Sequence, residues 1–179
     1  MQIEREDVGL AGAVLVRPPR FDDLRGSFTE TFRQDWMPRA DVMVQGNLSR
    51  SAPRVFRGLH FHRDQADFWV VVAGSVTVAL YDLREGSPTQ RSSVTLGLAE
   101  DQPAGLYIPP GIAHGFYSAT GCTLSYLVDR YFTGEDEHGI AWDDPDLGID
   151  WPFVDPVLSE RDRSNPPLAD ALADPPPFR

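Results

Sequence analysis

Residues 55–76 read VFRGLHFHRDQADFWVVVAGSV. Two of the chain's four histidines, His60 and His62, stand one residue apart here, and Asp67 follows five residues later. On a strand, positions i and i+2 face the same side, so the two imidazoles point together, with Arg57 just upstream. Three readings fit this pattern: an imidazole that transfers protons, half of a metal site completed from elsewhere, or two polar residues on a solvated strand face. Further on, IPPGIAH carries His114 through a turn to the start of another strand. Ionisable side chains inside a small barrel must be paired, metal-bound or functional, because burying them unpaired costs several kcal/mol. H-x-H followed by a carboxylate and by a P-x-G-x-x-H turn therefore favours function over a solvated face.

The elements that must position these residues are short. GAVLVRP, FWVVVAGSVTVALYDL, SSVTLGL, GLYIPPG and CTLSYLVDRYF are rich in Val, Tyr, Leu and Thr. Several alternate with period two, as in Val76, Val78 and Leu80, the signature of a strand. Helical periodicity is weak, with a short helix expected within Phe32 to Arg39. Many short strands separated by Gly and Pro turns predict an all-β sandwich or barrel, with the jelly roll as the natural candidate. A chain of 179 residues suits one domain with a full core. We expect that domain to span residues 1–168, with the proline-rich, acidic tail 169–179 loosely packed.

The formal net charge of −11 argues against a nucleic-acid binder, which needs a basic stripe. It leaves room for a local basic pocket for a small anion. All sixteen basic residues are arginine, which excludes any mechanism built on a lysine side chain. The lone cysteine, Cys122, cannot form an internal disulfide, so a cytoplasmic location is expected and Cys122 reads as a small buried hydrophobe. The acidic start MQIEREDVGL does not read as a signal peptide, and no stretch is long and apolar enough to predict a membrane span.

Taken together, FDDLRGSFTETF, VQGNLSRS, FRGLHFH, IPPGIAHGF, GIAWDDPDLGIDWP and LSERDRSNPPL resemble the dTDP-4-dehydrorhamnose 3,5-epimerase family, from about Val14 to Leu168. The resemblance implies a double-stranded β-helix of the cupin type with short peripheral helices. It implies a homodimeric, cofactor-free isomerase acting on a nucleotide-diphosphate 4-keto-6-deoxysugar, with a dTDP-4-keto-6-deoxyhexose as the leading substrate. C3 and C5 of such a sugar flank the C4 ketone, so enolate formation acidifies their protons, and a base of near-neutral pKa suits their removal. His60 matches the family's base, and Asp162 matches the partner that orients it, like the aspartate of a triad. Arg57 matches a residue contacting substrate and diphosphate, where a guanidinium clamps oxygens in pairs. Arg25, Phe28 and Glu30 match the segment that reaches the nucleotide from a partner subunit. Gln45 and Asn47 match further ligand-binding positions, and His114 falls in the substrate-binding set.

Three positions depart from the family. Asp67 stands where a lysine is expected to stabilise the enolate, Phe132 where a tyrosine returns a proton to the opposite face, and His62 where glutamine is usual. Tyr131, next to Phe132, would point to the opposite face of a strand. These departures fit a monofunctional 3-epimerase or an inactive, sugar-nucleotide-binding relative. They also fit a metal-dependent cupin isomerase or oxygenase. HFHRDQAD with Gly74 resembles the first motif of metal-binding cupins, H-x-H-x4-E-x6-G with aspartate for glutamate, and PPGIAH resembles the second. His60, His62, Asp67 and His114 would then hold Fe, Mn, Ni, Zn or Co. A lone pair given to a metal cannot also take a proton, so the two readings exclude each other at His60.

Overall fold

The computed structural model describes residues 3–38, 41–153 and 155–178. Among the described residues twelve strands run β1 (Glu4–Asp7), β2 (Val14–Arg17), β3 (Arg20–Asp23), β4 (Gly26–Thr29), β5 (Gln45–Ser51) and β6 (Val55–Phe61). They continue as β7 (Asp67–Asp82), β8 (Ser93–Ala99), β9 (Gly105–Ile108), β10 (Ile112–Ser118), β11 (Cys122–Val128) and β12 (His138–Gly139). Two short helices, α1 (Glu160–Arg163) and α2 (Leu168–Ala173), follow. This is the jelly roll expected from the strand pattern. The helix expected within Phe32 to Arg39 is a single 3-10 turn, Gln34–Trp36; Arg39 lies outside the described residues. No helix among the described residues is long and apolar enough to cross a membrane.

The long strand β7 belongs to both sheets. Its first half pairs with β9 and β11, and its second half with β8 and β10. The change of sheet falls at Gly74, with φ +77°, where a Cβ would stand 2.4 Å from the Gly121 carbonyl oxygen. Only glycine allows that turn and that approach. Along β7 the two faces serve two cores. Val76, Val78 and Leu80 point between the sheets, against Trp69, Leu106 and Leu124. Ala79 and Tyr81 point outward, beneath Ile140, Leu147 and Leu168 of the C-terminal segment. Both faces being covered explains why β7 reads as a nearly continuous apolar run.

That C-terminal segment corrects the expectation of a loose tail. α2 crosses the expected boundary at residue 168 and buries Leu168 and Ala171. Beyond it, Glu85 N–H donates to the Pro176 carbonyl at 2.8 Å and Phe178 N–H donates to the Glu85 carbonyl at 3.0 Å. Arg63 Nη2 contacts the Asp174 carboxylate at 2.6 Å, and Arg84 stands 5.0 Å over the Phe178 ring. Proline-rich chain can dock without regular structure when its few backbone groups find partners.

β6 and β10 come close together at a pair of glycines. Gly58 has φ +123°, and a Cβ on it would lie 2.7 Å from Gly115 Cα and 2.8 Å from the His114 carbonyl oxygen. The register between the two strands shifts at this point. Gly58→Ala is expected to cost about 3 kcal/mol or more, from overpacking against backbone that has nowhere to go. Urea unfolding followed by Trp fluorescence measures this; a cost below about 1 kcal/mol would mean that the strands part easily.

Candidate active site

Between the sheets lies a cavity of about 530 Å³. His60 reaches it from β6, held in register opposite His114 on one side and Gly139 on the other. His60 Nε2 and Asp162 Oδ1 stand 2.7 Å apart, across 102 residues of sequence. α1 delivers the carboxylate: Ser159 caps the helix by accepting from the Asp162 N–H at 3.1 Å. Asp162 is buried, and burial alone would raise its pKa. The hydrogen bond and charge of His60, with further hydrogen bonds from Ser159 and the Gly58 N–H, outweigh burial and hold it below the usual carboxylate value. The aspartate is therefore ionised and accepts the His60 Nε2–H. That tautomer leaves Nδ1 of His60 as the nitrogen able to take a proton.

His62 and His114 are held differently. Nδ1 of His62 stands 2.5 Å from the Asp136 carbonyl oxygen, and Nδ1 of His114 stands 3.0 Å from that of Ile112. A carbonyl only accepts, so each Nδ1 carries a hydrogen, and in the neutral ring each Nε2 carries the lone pair. The imidazole of His114 is pushed down to about 4, by burial first, opposed by the Asp67 charge and reinforced by His62 and His60. It is neutral at neutral pH. Asp67 is not the unpaired carboxylate that its place in the sequence suggests. It accepts from Gln65 Nε2 at 2.9 Å and from Trp69 Nε1 at 3.0 Å.

The structure thus divides the four residues expected around one metal. Ligand atoms of His62, Asp67 and His114 lie within 4.8 Å of one another, all three residues being buried. His60 stands outside that group, with its Nε2 paired to Asp162. Three of the four residues are thus brought together, and His60 is not among them.

Arg57, Gln45 and Asn47 line the cavity. Arg57 is anchored through Nε to Ser51 Oγ at 3.0 Å and through Nη2 to the Arg50 carbonyl at 3.2 Å. Arg25, Phe28 and Glu30 do not join them. Arg25 and Phe28 sit on the separate β3–β4 hairpin, 89% exposed at the Arg25 side chain and 65% exposed at Phe28. Glu30 follows the hairpin, with Arg33 at 3.7 Å.

Phe132 lines the cavity and donates its N–H to Gln45 Oε1 at 3.1 Å. It lies beyond the end of β11 at Val128, so strand parity does not decide where Tyr131 points. Tyr131 is nonetheless 72% exposed and does not line the cavity. The phenol that does is Tyr126 of β11, which the sequence reading missed. Its pKa is raised by burial, with Asp67 and Glu137 adding and Arg57 opposing. Period-two alternation along CTLSYLV, placing Leu124, Tyr126 and Val128 on one face, was the available signal. Arg161 and Glu137, paired at 2.6 Å on the cavity wall, left no such signal because Glu137 comes from a loop.

A sequence model of dTDP-4-dehydrorhamnose 3,5-epimerase matches residues 7–170. A dTDP-4-dehydrorhamnose 3,5-epimerase of Sinorhizobium fredii is 38% identical over 174 residues, covering 92% of this chain and 89% of that protein. The crystal structure of a 4-keto-6-deoxy sugar epimerase from the novobiocin biosynthetic gene cluster of Streptomyces spheroides is also similar. It superposes with a TM-score of 0.91 at 32% identity, covering 99% of this chain and 94% of that one. A dTDP-6-deoxy-D-glucose-3,5-epimerase from Legionella pneumophila, in complex with dTDP-4-keto-L-rhamnose, superposes with a TM-score of 0.92 at 32% identity, covering 99% of this chain and all of that one. With the jelly roll and a His60–Asp162 pair opening on its cavity, the chain belongs to the dTDP-4-dehydrorhamnose 3,5-epimerase family of isomerases.

Proposed function

We propose that the chain epimerises a nucleotide-diphosphate 4-keto-6-deoxyhexose, with a dTDP sugar as the leading substrate. The observation that carries this is the His60–Asp162 pair at 2.7 Å on the wall of a cavity large enough for a hexose. Nδ1 of His60 takes the proton from a carbon next to the C4 ketone. The C–H electrons move into the C–C bond, and the carbonyl electrons move onto O4. The imidazolium that forms is stabilised by ionised Asp162, which also fixes the ring. Return of a proton to the opposite face of the carbon inverts it. Proton transfer of this kind needs no cofactor.

Arg57 supplies charge for the diphosphate, and Gln45 and Asn47 supply amides for the sugar or base. Arg25, Phe28 and Glu30 complete the nucleotide site from a second copy of the chain, because within one chain their hairpin is exposed and none of them lines the cavity. We accordingly read the working form as a homodimer. Cys122 is buried and free, in keeping with a reducing cytoplasm.

Calorimetry with dTDP, followed by NMR of a dTDP-4-keto-6-deoxyglucose substrate in D2O, tests the reading. We expect saturable dTDP binding and solvent deuterium at a carbon next to the ketone. Arg57→Ala should weaken dTDP binding about tenfold or more, the loss of one charge-assisted contact. Folded protein that binds no nucleotide-diphosphate sugar would overturn the assignment.

A further inference from the structure

We propose that His62, Asp67 and His114 form a divalent-cation site beside the His60–Asp162 pair and distinct from it. The ligand atoms of the three lie within 4.8 Å of one another, with His114 Nε2 to Asp67 Oδ2 at 3.9 Å. In a tetrahedral site, neighbouring ligand atoms stand about 3.4 Å apart, so the observed pair needs to close by only about 0.5 Å. Both imidazoles already hold the tautomer that a metal requires. Each Nδ1 is committed to a backbone carbonyl, which leaves each Nε2 as the donor atom. Such an outer hydrogen bond fixes ring orientation and raises ligand basicity.

The carboxylate is oriented in the same way, by Gln65 Nε2 on one oxygen and Trp69 Nε1 on the other. The three residues come from separate segments: Asp67 opens β7, His114 sits on β10, and His62 lies just past β6. Two of them are therefore set by the sheet itself, and rigid elements hold ligand geometry best. All three residues are buried and line the cavity. Three protein ligands facing a cavity leave a fourth position open, the arrangement of catalytic rather than structural sites. Two imidazoles and one carboxylate suit Zn, Co, Fe(II), Ni or Mn.

The site's role rests on the proposed function. A divalent ion held there would supply positive charge where the family resemblance expects the enolate-stabilising lysine, while His60 keeps its lone pair for the proton. The exclusion between metal and base at His60 disappears with the three-residue set.

The test is a Co(II) titration of the chelator-treated full chain, followed by its visible absorption and by calorimetry. One equivalent per chain should bind with micromolar or tighter affinity. Asp67→Asn and His62→Gln should each weaken it by at least about 100-fold, with dTDP binding retained as the check on folding. His60→Asn should keep the cobalt spectrum while losing deuterium exchange. Absence of saturable binding, binding undiminished in both ligand variants, or loss of the spectrum in His60→Asn would each overturn the site. If dTDP binding and exchange persist in metal-free wild type that binds no cobalt, this proposal fails and the epimerase reading stands.

Discussion

Asp162→Asn lowers the rate of solvent-deuterium incorporation into the 4-keto sugar by about 10²–10⁴-fold, the range expected for loss of general acid–base function. The amide has nearly the shape of the carboxylate but no charge. It can present its NH₂ to Nε2 of His60, which turns the ring to the tautomer with Nδ1 protonated and removes the lone pair from the cavity. Even in the correct tautomer, an imidazolium beside a neutral amide loses the stabilisation that a carboxylate at 2.7 Å provides. Asp162 acts through His60, so it is a positioning residue, and two readouts separate that role from a merely structural one. The loss should fall on kcat with KM changed little, and Asp162→Glu should recover part of the rate. His60→Asn should abolish exchange with dTDP affinity intact. Retention of more than about a tenth of the wild-type rate in Asp162→Asn would show that His60 does not depend on the pair.

Exchange in the wild-type protein is expected to be one-sided, with deuterium entering at one of the two carbons about 10²-fold faster than at the other, and Phe132→Tyr should narrow that gap by tenfold or more. Inversion needs a base on one face of the carbon and an acid on the other. His60 supplies the first. Phe132, on the cavity wall where the family resemblance expects the acid, carries no exchangeable proton. Phe132 is 64% exposed, so an added hydroxyl should change stability by less than about 0.5 kcal/mol. Tyr126 is the phenol already in the cavity, and Tyr126→Phe is the necessary control. If the faster carbon draws its returning proton from Tyr126, that exchange survives Phe132→Tyr and falls in Tyr126→Phe. Equal, rapid inversion at both carbons in the wild type, unaffected by Tyr126→Phe, would refute the prediction.

Period-two alternation is a property of neighbouring residues, and what depends on it was legible in the chain. Val76, Val78 and Leu80 point into one core, and His60 and His62 both reach the same cavity. The jelly roll follows from many short strands between Gly and Pro turns, and Arg57, Gln45 and Asn47 were named from motifs that the structure brings to one cavity. Partner choice is another matter. It depends on which strands pair, in what register, and where a strand leaves one sheet for the other. The bend at Gly74 is required because the Gly121 carbonyl comes so close, and that approach exists only in the folded chain.

The same holds within the site. From sequence, His60, His62, Asp67 and His114 were equal members of one set. The register of β6 against β10, the short helix that carries Asp162 and the loop carbonyl of Asp136 sort them into a proton-transfer pair and a three-residue cluster. Asp67, an apparent charge reversal in the sequence, is satisfied by Gln65, in the loop before β7, and by Trp69 within it, two residues on either side. The tail read as loose from its prolines, yet Glu85 gives it a backbone partner in each direction. Composition and spacing determined which chemistry this chain could attempt. Only closure of the two sheets, which brings residues 102 apart to within 2.7 Å, decided which nitrogen is free to do it.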